Sequence, residues 1–121
     1  MKKLLKCHCQ YIVIELKLPN GLEKLRRCNC SICSRRNAVM GSVCAHNLTV
    51  LKGESFLSEY SFNTHTAKHF FCSNCGIYTH HQRRSNPKEF GFNISCVDGV
   101  KIEEFVHINY LDGKDNHPSD K

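Results

Sequence analysis

No stretch of this 121-residue chain stays apolar long enough to suggest a membrane span or a secretory leader. The opening Met1-Lys2-Lys3-Leu4-Leu5-Lys6 has the charged start of a leader, but its apolar run ends after two leucines, where a leader needs about seven to fifteen apolar residues. An exported, disulfide-stapled protein is therefore not expected. Also lacking are a repeat at solenoid spacing, a low-complexity tract and a long linker, so one domain is the simplest organisation. Hydrophobic residues make up 40% of the chain and charged ones 23%, which is ordinary globular usage and argues against disorder. A chain of this length buries roughly two thirds of its unfolded surface, enough for a core.

Against this plain background stand nine cysteines. An odd number cannot pair completely, and without an export signal the thiols are expected in a reducing, cytoplasmic setting. There, clustered cysteines more often bind metal or take part in catalysis than form disulfides. Seven of the nine fall in three clusters: Cys7-His8-Cys9, Cys28-Asn29-Cys30-Ser31-Ile32-Cys33 and Cys72-Ser73-Asn74-Cys75-Gly76. The formal charge of +6 counts every thiol as neutral. Seven thiolates holding two zinc ions bring it to about +3, so much of the basic excess acts as counter-charge. Nucleic acid is not favoured as a partner, because Lys and Arg are spread along the chain rather than gathered in one stripe.

Helical periodicity is scarce. Tyr11 to Leu18 is rich in β-branched and apolar residues and ends at Pro19-Asn20-Gly21, which predicts a strand and a turn. Further short strands are expected from Val39 to Cys44, Leu48 to Leu51, Phe56 to Tyr60, Lys68 to Phe71, Ile77 to His81, Phe90 to Ile94 and Glu104 to Ile108. One helical turn is expected through Ser31-Ile32-Cys33-Ser34-Arg35-Arg36, with Ser31 as its cap. The pattern predicts a mainly β domain of small sheets over residues 1–111, with 112–121 as a polar tail.

A C-x-x-C turn brings two sulfurs together and aims backbone N–H groups at them, and Gly76 lets the chain leave that turn at positive φ. A C-x-C pair does the same on extended backbone, where residues two apart share a face. Cys72 and Cys75 need two further ligands to close a tetrahedral site, and Cys7 with Cys9 is an available pair. Cys28, Cys30 and Cys33 lie within six residues, so one local loop can hold a metal with one position open, the arrangement of catalytic zinc. Spacing alone leaves other partitions open. Cys28 and Cys30 can complete the site of Cys72 and Cys75, and Cys44, Cys96 or a histidine can fill the fourth position of the middle cluster. Cys44 and Cys96, in apolar stretches, read as small buried hydrophobes. The eight histidines show no paired ligand spacing and read as surface or hydrogen-bonded groups.

At these cysteines, and at Arg35-Arg36, Lys52-Gly53-Glu54, Phe71, Asp112-Gly113 and His117-Pro118, the chain resembles the glutathione-dependent formaldehyde-activating enzyme family, which includes the centromere protein V group. The resemblance implies a β-tent fold of several small coiled antiparallel sheets. It implies a structural zinc on Cys7, Cys9, Cys72 and Cys75 and a catalytic zinc on Cys28, Cys30 and Cys33. The activity it implies is that of a carbon–sulfur lyase of the S-(hydroxymethyl)glutathione synthase type, joining the thiol of glutathione to formaldehyde. Gln10 stands where relatives commonly carry glycine and Asn29 where many carry histidine, neither being a ligand in the family pattern. Arg35 and Arg36 follow the middle cluster directly and are candidate partners for glutathione's carboxylates. Tyr78, Asn93 and His80-His81 can line the same pocket, although strand packing accounts for them equally. The alternative functions are a non-catalytic zinc module for protein or nucleic-acid partners and a thiol sensor that releases zinc on oxidation.

Overall fold

The computed structural model describes residues 1–22, 24–84, 86–105, 108 and 110–111. The polar tail 112–121 lies outside the described residues. The architecture is mainly β, with three sheets among the described residues. The first is built from β1 (Lys2–Lys6), β2 (Val13–Lys17) and β5 (Leu48–Lys52), antiparallel in the order β1-β2-β5. The second pairs β3 (Arg27–Cys28) with β10 (Tyr110–Leu111) and is parallel, unlike the antiparallel pairing expected. The third orders β4 (Met40–Cys44), β9 (Glu89–Asn93), β8 (Tyr78–Gln82), β7 (Lys68–Cys72) and β6 (Leu57–Tyr60), antiparallel throughout.

Alternation along the first sheet sends Leu5, Ile14 and Leu16 to one face, where all three are fully buried. Cross-strand register stacks them as Leu5 against Ile14 and Leu16 against Leu48. The same core takes in Phe92 from the five-stranded sheet, Val39 just before β4 and Ile94 just after β9. Each such side chain contributes about 1.5–3 kcal/mol by leaving water. Packing is tight enough that a Cβ on Gly41 would sit 2.5 Å from the Phe92 ring.

Two expectations need correction, and one strand was not foreseen. Residues 2–6 form an edge strand, where lysines discourage pairing with another chain, so the leader-like lysines have a structural use. Between Glu104 and Ile108 the described backbone is not a strand: Ile102–Phe105 is a 3₁₀ turn, with Glu104 N–H donating to Lys101 O at 3.1 Å, and residues 106 and 107 lie outside the described set. The helix α1 spans Ser31–Arg36 as expected, but Cys30 occupies the cap position and Ser31 is already helical. Its far end closes on Asn37 in the left-handed region, whose N–H donates to Cys33 O.

The two faces of the five-stranded sheet differ in chemistry. Register places Gly41, Phe92, His80 and Phe70 side by side on the core face. His80 stacks on Phe70 at 4.7 Å and meets the Phe90 ring edge-on at 5.6 Å. Burial pushes its pKa down to about 4. The folded protein therefore holds His80 neutral while the unfolded chain takes up its proton near pH 6.5. The resulting stability is complete above pH 6.5 and is lost as pH falls toward 4. Replacing His80 by Phe is expected to flatten the pH dependence of urea unfolding between pH 6.5 and 4 by about 2–3 kcal/mol relative to the unaltered protein.

Candidate metal centres

The nearly invariant geometry of sulfur around a tetrahedral metal offers a test of the seven clustered cysteines. Bonds of about 2.3 Å put neighbouring sulfurs about 3.8 Å apart. The turn between β1 and β2 carries Cys7 and Cys9, whose sulfurs are 3.6 Å apart, and Cys9 Sγ lies 3.7 Å from Cys72 Sγ. Cys75 completes the group, all four sulfurs lying within 4.8 Å of one another. Backbone geometry explains the convergence. Gly76 N–H donates to Cys72 O at 2.8 Å, with Gly76 at φ 79°, and Gln10 N–H donates to Cys7 O at 3.1 Å. Ile12 N–H points at Cys7 Sγ from 3.4 Å, the backbone-to-sulfur bond that steadies a thiolate ligand. Cys7 and Cys72 are buried in the core, and a metal ion held by this group would join the turn after β1 to the end of β7 from inside.

The second group is Cys28, Cys30 and Cys33, again with all sulfurs within 4.8 Å. β3 delivers Cys28, the α1 cap position delivers Cys30 and the first turn of α1 delivers Cys33. Cys30 N–H lies 3.5 Å from Cys28 Sγ, and Ser34 N–H closes the turn onto Cys30 O at 2.8 Å. Among the described residues no histidine, carboxylate or further cysteine joins them as a fourth donor. The two remaining cysteines differ from each other. Cys96 packs against the core, its thiol 3.7 Å from Tyr78 O, whereas Cys44 is exposed at the end of β4, contrary to the buried position expected of it.

Protons are shared unequally among crowded thiols. Cys30 is held down to about 2, first by the thiols of Cys28 and Cys33 and then by the N–H groups of Cys33 and Ile32, while the thiols of Cys28 and Cys30 raise Cys33. In the four-cysteine group burial pushes Cys7 up to about 11. Burial opposes ionisation of Cys75 too, but the N–H groups of Cys9 and Ile77 bring it down to about 6. Each cluster thus contains at least one thiol disposed to ionise, the first step in holding a cation.

The polar face of the five-stranded sheet brings Arg36, Tyr78 and His81, all candidates from the sequence, together with His69, which was not singled out. Register runs Ser42, Gly91, His81, His69 and Tyr60 across all five strands. Arg36 donates to His69 Nδ1 at 3.0 Å and lies 3.7 Å over the Tyr78 ring, while Tyr78 Oη is 2.5 Å from His81 Nδ1. The His69 and His81 rings stack at 5.3 Å. Burial, reinforced by Arg36, pushes His69 down to about 4; burial holds His81 well below its usual range and raises the Tyr78 phenol. Arg35, the other candidate, is exposed and turns back to Ser31, donating to its carbonyl at 2.8 Å and its hydroxyl at 2.9 Å. Asn93 is occupied structurally, donating to Tyr78 O and accepting from Ser95 N–H. Strand alternation separates His81 from His80, but only the pairing register, invisible in one sequence, sets His69 beside His81.

Residues 4–110 match a family model described as glutathione-dependent formaldehyde-activating enzyme. The chain belongs to this family. It is also similar, at 45% identity and a TM-score of 0.85, to a Rhodobacter sphaeroides protein whose crystal structure was solved as a structural genomics target; the match covers 92% of this chain and 100% of that one. Family membership makes the backbone at Gln10 instructive. Gln10 sits at φ 62°, a conformation that costs a side-chain-bearing residue about 1–2 kcal/mol and glycine almost nothing. The glycine that the resemblance leads one to expect at this position would have a plain physical reason. Gln10→Gly is expected to raise stability here by about 0.5–1 kcal/mol, read as a higher midpoint in urea with an unchanged slope.

Proposed function

We propose that this protein is a zinc-dependent carbon–sulfur lyase of the S-(hydroxymethyl)glutathione synthase type, with zinc on both cysteine groups. Cys7, Cys9, Cys72 and Cys75 hold the structural ion. Cys28, Cys30 and Cys33 hold the catalytic one and leave its fourth position to a small thiol such as glutathione. The observation that carries this reading is the three-sulfur tripod, to which no further donor among the described residues belongs. Residues 1–111 form the working domain, and the reduced thiols it needs place it in the cytoplasm.

Bound zinc would supply one thing, a lowered pKa that keeps the substrate thiol as thiolate at neutral pH. The rest falls to the chain. Three anionic sulfurs donate charge, favouring a nucleophilic bound sulfur over strong polarisation of the aldehyde. The thiolate sulfur attacks the aldehyde carbon, a carbon–sulfur bond forms, the carbonyl π pair moves to oxygen and the thiol proton ends there. Atoms and charge balance without oxidant or reductant. Arg36, fixed over Tyr78 and bonded to His69, holds an acidic group of the thiol, and the neutral histidines add no competing charge.

The test is NMR exchange spectroscopy on equilibrated formaldehyde and glutathione. The zinc-loaded protein is expected to speed interconversion with S-(hydroxymethyl)glutathione well above the spontaneous rate. Equal rates with and without protein would defeat the enzymatic reading and leave a binding module.

A further inference from the structure

Four arginines flank the three-cysteine group, Arg26 and Arg27 before it and Arg35 and Arg36 after it, and Arg26 and Arg36 form no ion pair with a carboxylate among the described residues. Arg36 lies three residues beyond Cys33 on the same helix, so the two side chains share a face about 5–6 Å apart at Cβ. Arg26 lies two residues before Cys28 on extended backbone, bridged to Met40 by N–H···O bonds of 3.0 and 2.8 Å in both directions, so Arg26 and Cys28 also share a face. Arg26 and Arg36 thus each share a face with one cysteine of the tripod, from opposite ends of the segment.

The floor beneath is shaped for them. Arg26 Nη1 donates to Ser42 Oγ at 2.7 Å and to Lys24 O at 3.1 Å, both neutral acceptors. Its Nη2 passes over Gly91, where a Cβ would stand 3.0 Å from that nitrogen and 2.4 Å from His81 Cε1. A side chain at position 91 would therefore displace either the guanidinium or the imidazole. Glu89, the carboxylate within electrostatic reach, is already bonded to Arg83, with Lys24 Nζ at 3.5 Å. A partly buried cation whose hydrogen bonds go to neutral oxygens gains from a directly bonded anion.

We propose that Arg26 and Arg36 form a two-point clamp for a carboxylate of the incoming thiol, making the tripod selective for carboxylate-bearing thiols over neutral ones. The clamp rests on the thiol-binding reading above and adds Arg26 to it as a specificity residue. The alternative use of the two arginines is to neutralise the thiolates, which would favour every thiol equally.

Cobalt(II)-substituted protein separates these uses through its sulfur-to-metal absorption, titrated with glutathione, glutathione diethyl ester and 2-mercaptoethanol. Glutathione is expected to bind at least tenfold more tightly than its diester. Arg36→Met and Arg26→Met, checked for retained fold by circular dichroism, are expected to erase that preference while leaving 2-mercaptoethanol affinity unchanged. Lys68→Met, an equal loss of charge on an exposed strand position, is expected to keep it. Equal affinity for acid and ester, or arginine variants that weaken all three thiols alike, overturns the clamp. If no thiol perturbs the absorption, the thiol-binding reading itself has failed and the clamp falls with it. The ester comparison needs no variant, so an unfolded Arg26→Met still leaves a decisive result.

Discussion

Replacing Cys72 by serine is expected to abolish cooperative folding, leaving no resolvable thermal transition and one fewer bound zinc per chain. Cys72 is fully buried at the end of β7, and its sulfur lies 3.7 Å from that of Cys9 in the turn leaving β1. The four sulfurs thus occupy a place in the core that side chains would otherwise fill, between the first sheet and the five-stranded one. A structural zinc contributes on the order of 10–16 kcal/mol, as much as or more than the whole net stability of a small domain at about 5–15 kcal/mol. Serine oxygen is a poor replacement for thiolate and would bring an unsatisfied hydroxyl into apolar surroundings. A strong chelator should reproduce the loss in the unaltered protein. Cys44→Ser is the matched control: its thiol is exposed and belongs to neither group, so it should shift stability by no more than about 0.5 kcal/mol. A Cys72→Ser protein that melts where the unaltered protein melts would show that the group is not a structural metal site.

Much of this was legible in one sequence because cysteine spacing and strand alternation are local signals. Leu48 to Leu51 and Lys68 to Phe71 announce β5 and β7 within a residue of their observed ends, and the short helix is foretold by the cysteines it must position. What escaped is non-local. The strand at Lys2–Lys6 looks leader-like until its partner Val13–Lys17 is paired with it. The two-residue pair of β3 and β10 joins segments some eighty residues apart, too short for any periodicity. The polar floor depends on register: His69, His81 and Gly91 are neighbours only because three strands align them, and the kink between Phe70 and Phe71 then brings Tyr78 to His81. Arg35 and Arg36 are indistinguishable as letters. A helix turn of about 100° per residue sends one back to Ser31 and the other over Tyr78.

Cys30→Ser should produce the opposite phenotype to Cys72→Ser, an intact fold with a disabled site. The reason lies in where the tripod is built. No residue of α1 is buried, and Cys28, Cys30 and Cys33 are all partly exposed, so the core does not depend on this group. Cys30 is nonetheless its most anionic member, held down to about 2 by the neighbouring thiols and by the N–H groups of Cys33 and Ile32. Those donors are fixed by the helix start and would stabilise a thiolate ligand in the same way. Serine keeps the size and the hydrogen bonds, but its hydroxyl does not ionise near neutral pH, so the cation would be left on two sulfurs. Thiol affinity at this site and turnover of formaldehyde with glutathione are expected to fall by at least roughly 100-fold, with one zinc retained and a thermal midpoint within a few degrees of the unaltered protein. A loss of fold would mean that the tripod is structural rather than an open site. Unchanged turnover would mean that the reaction does not pass through these sulfurs at all.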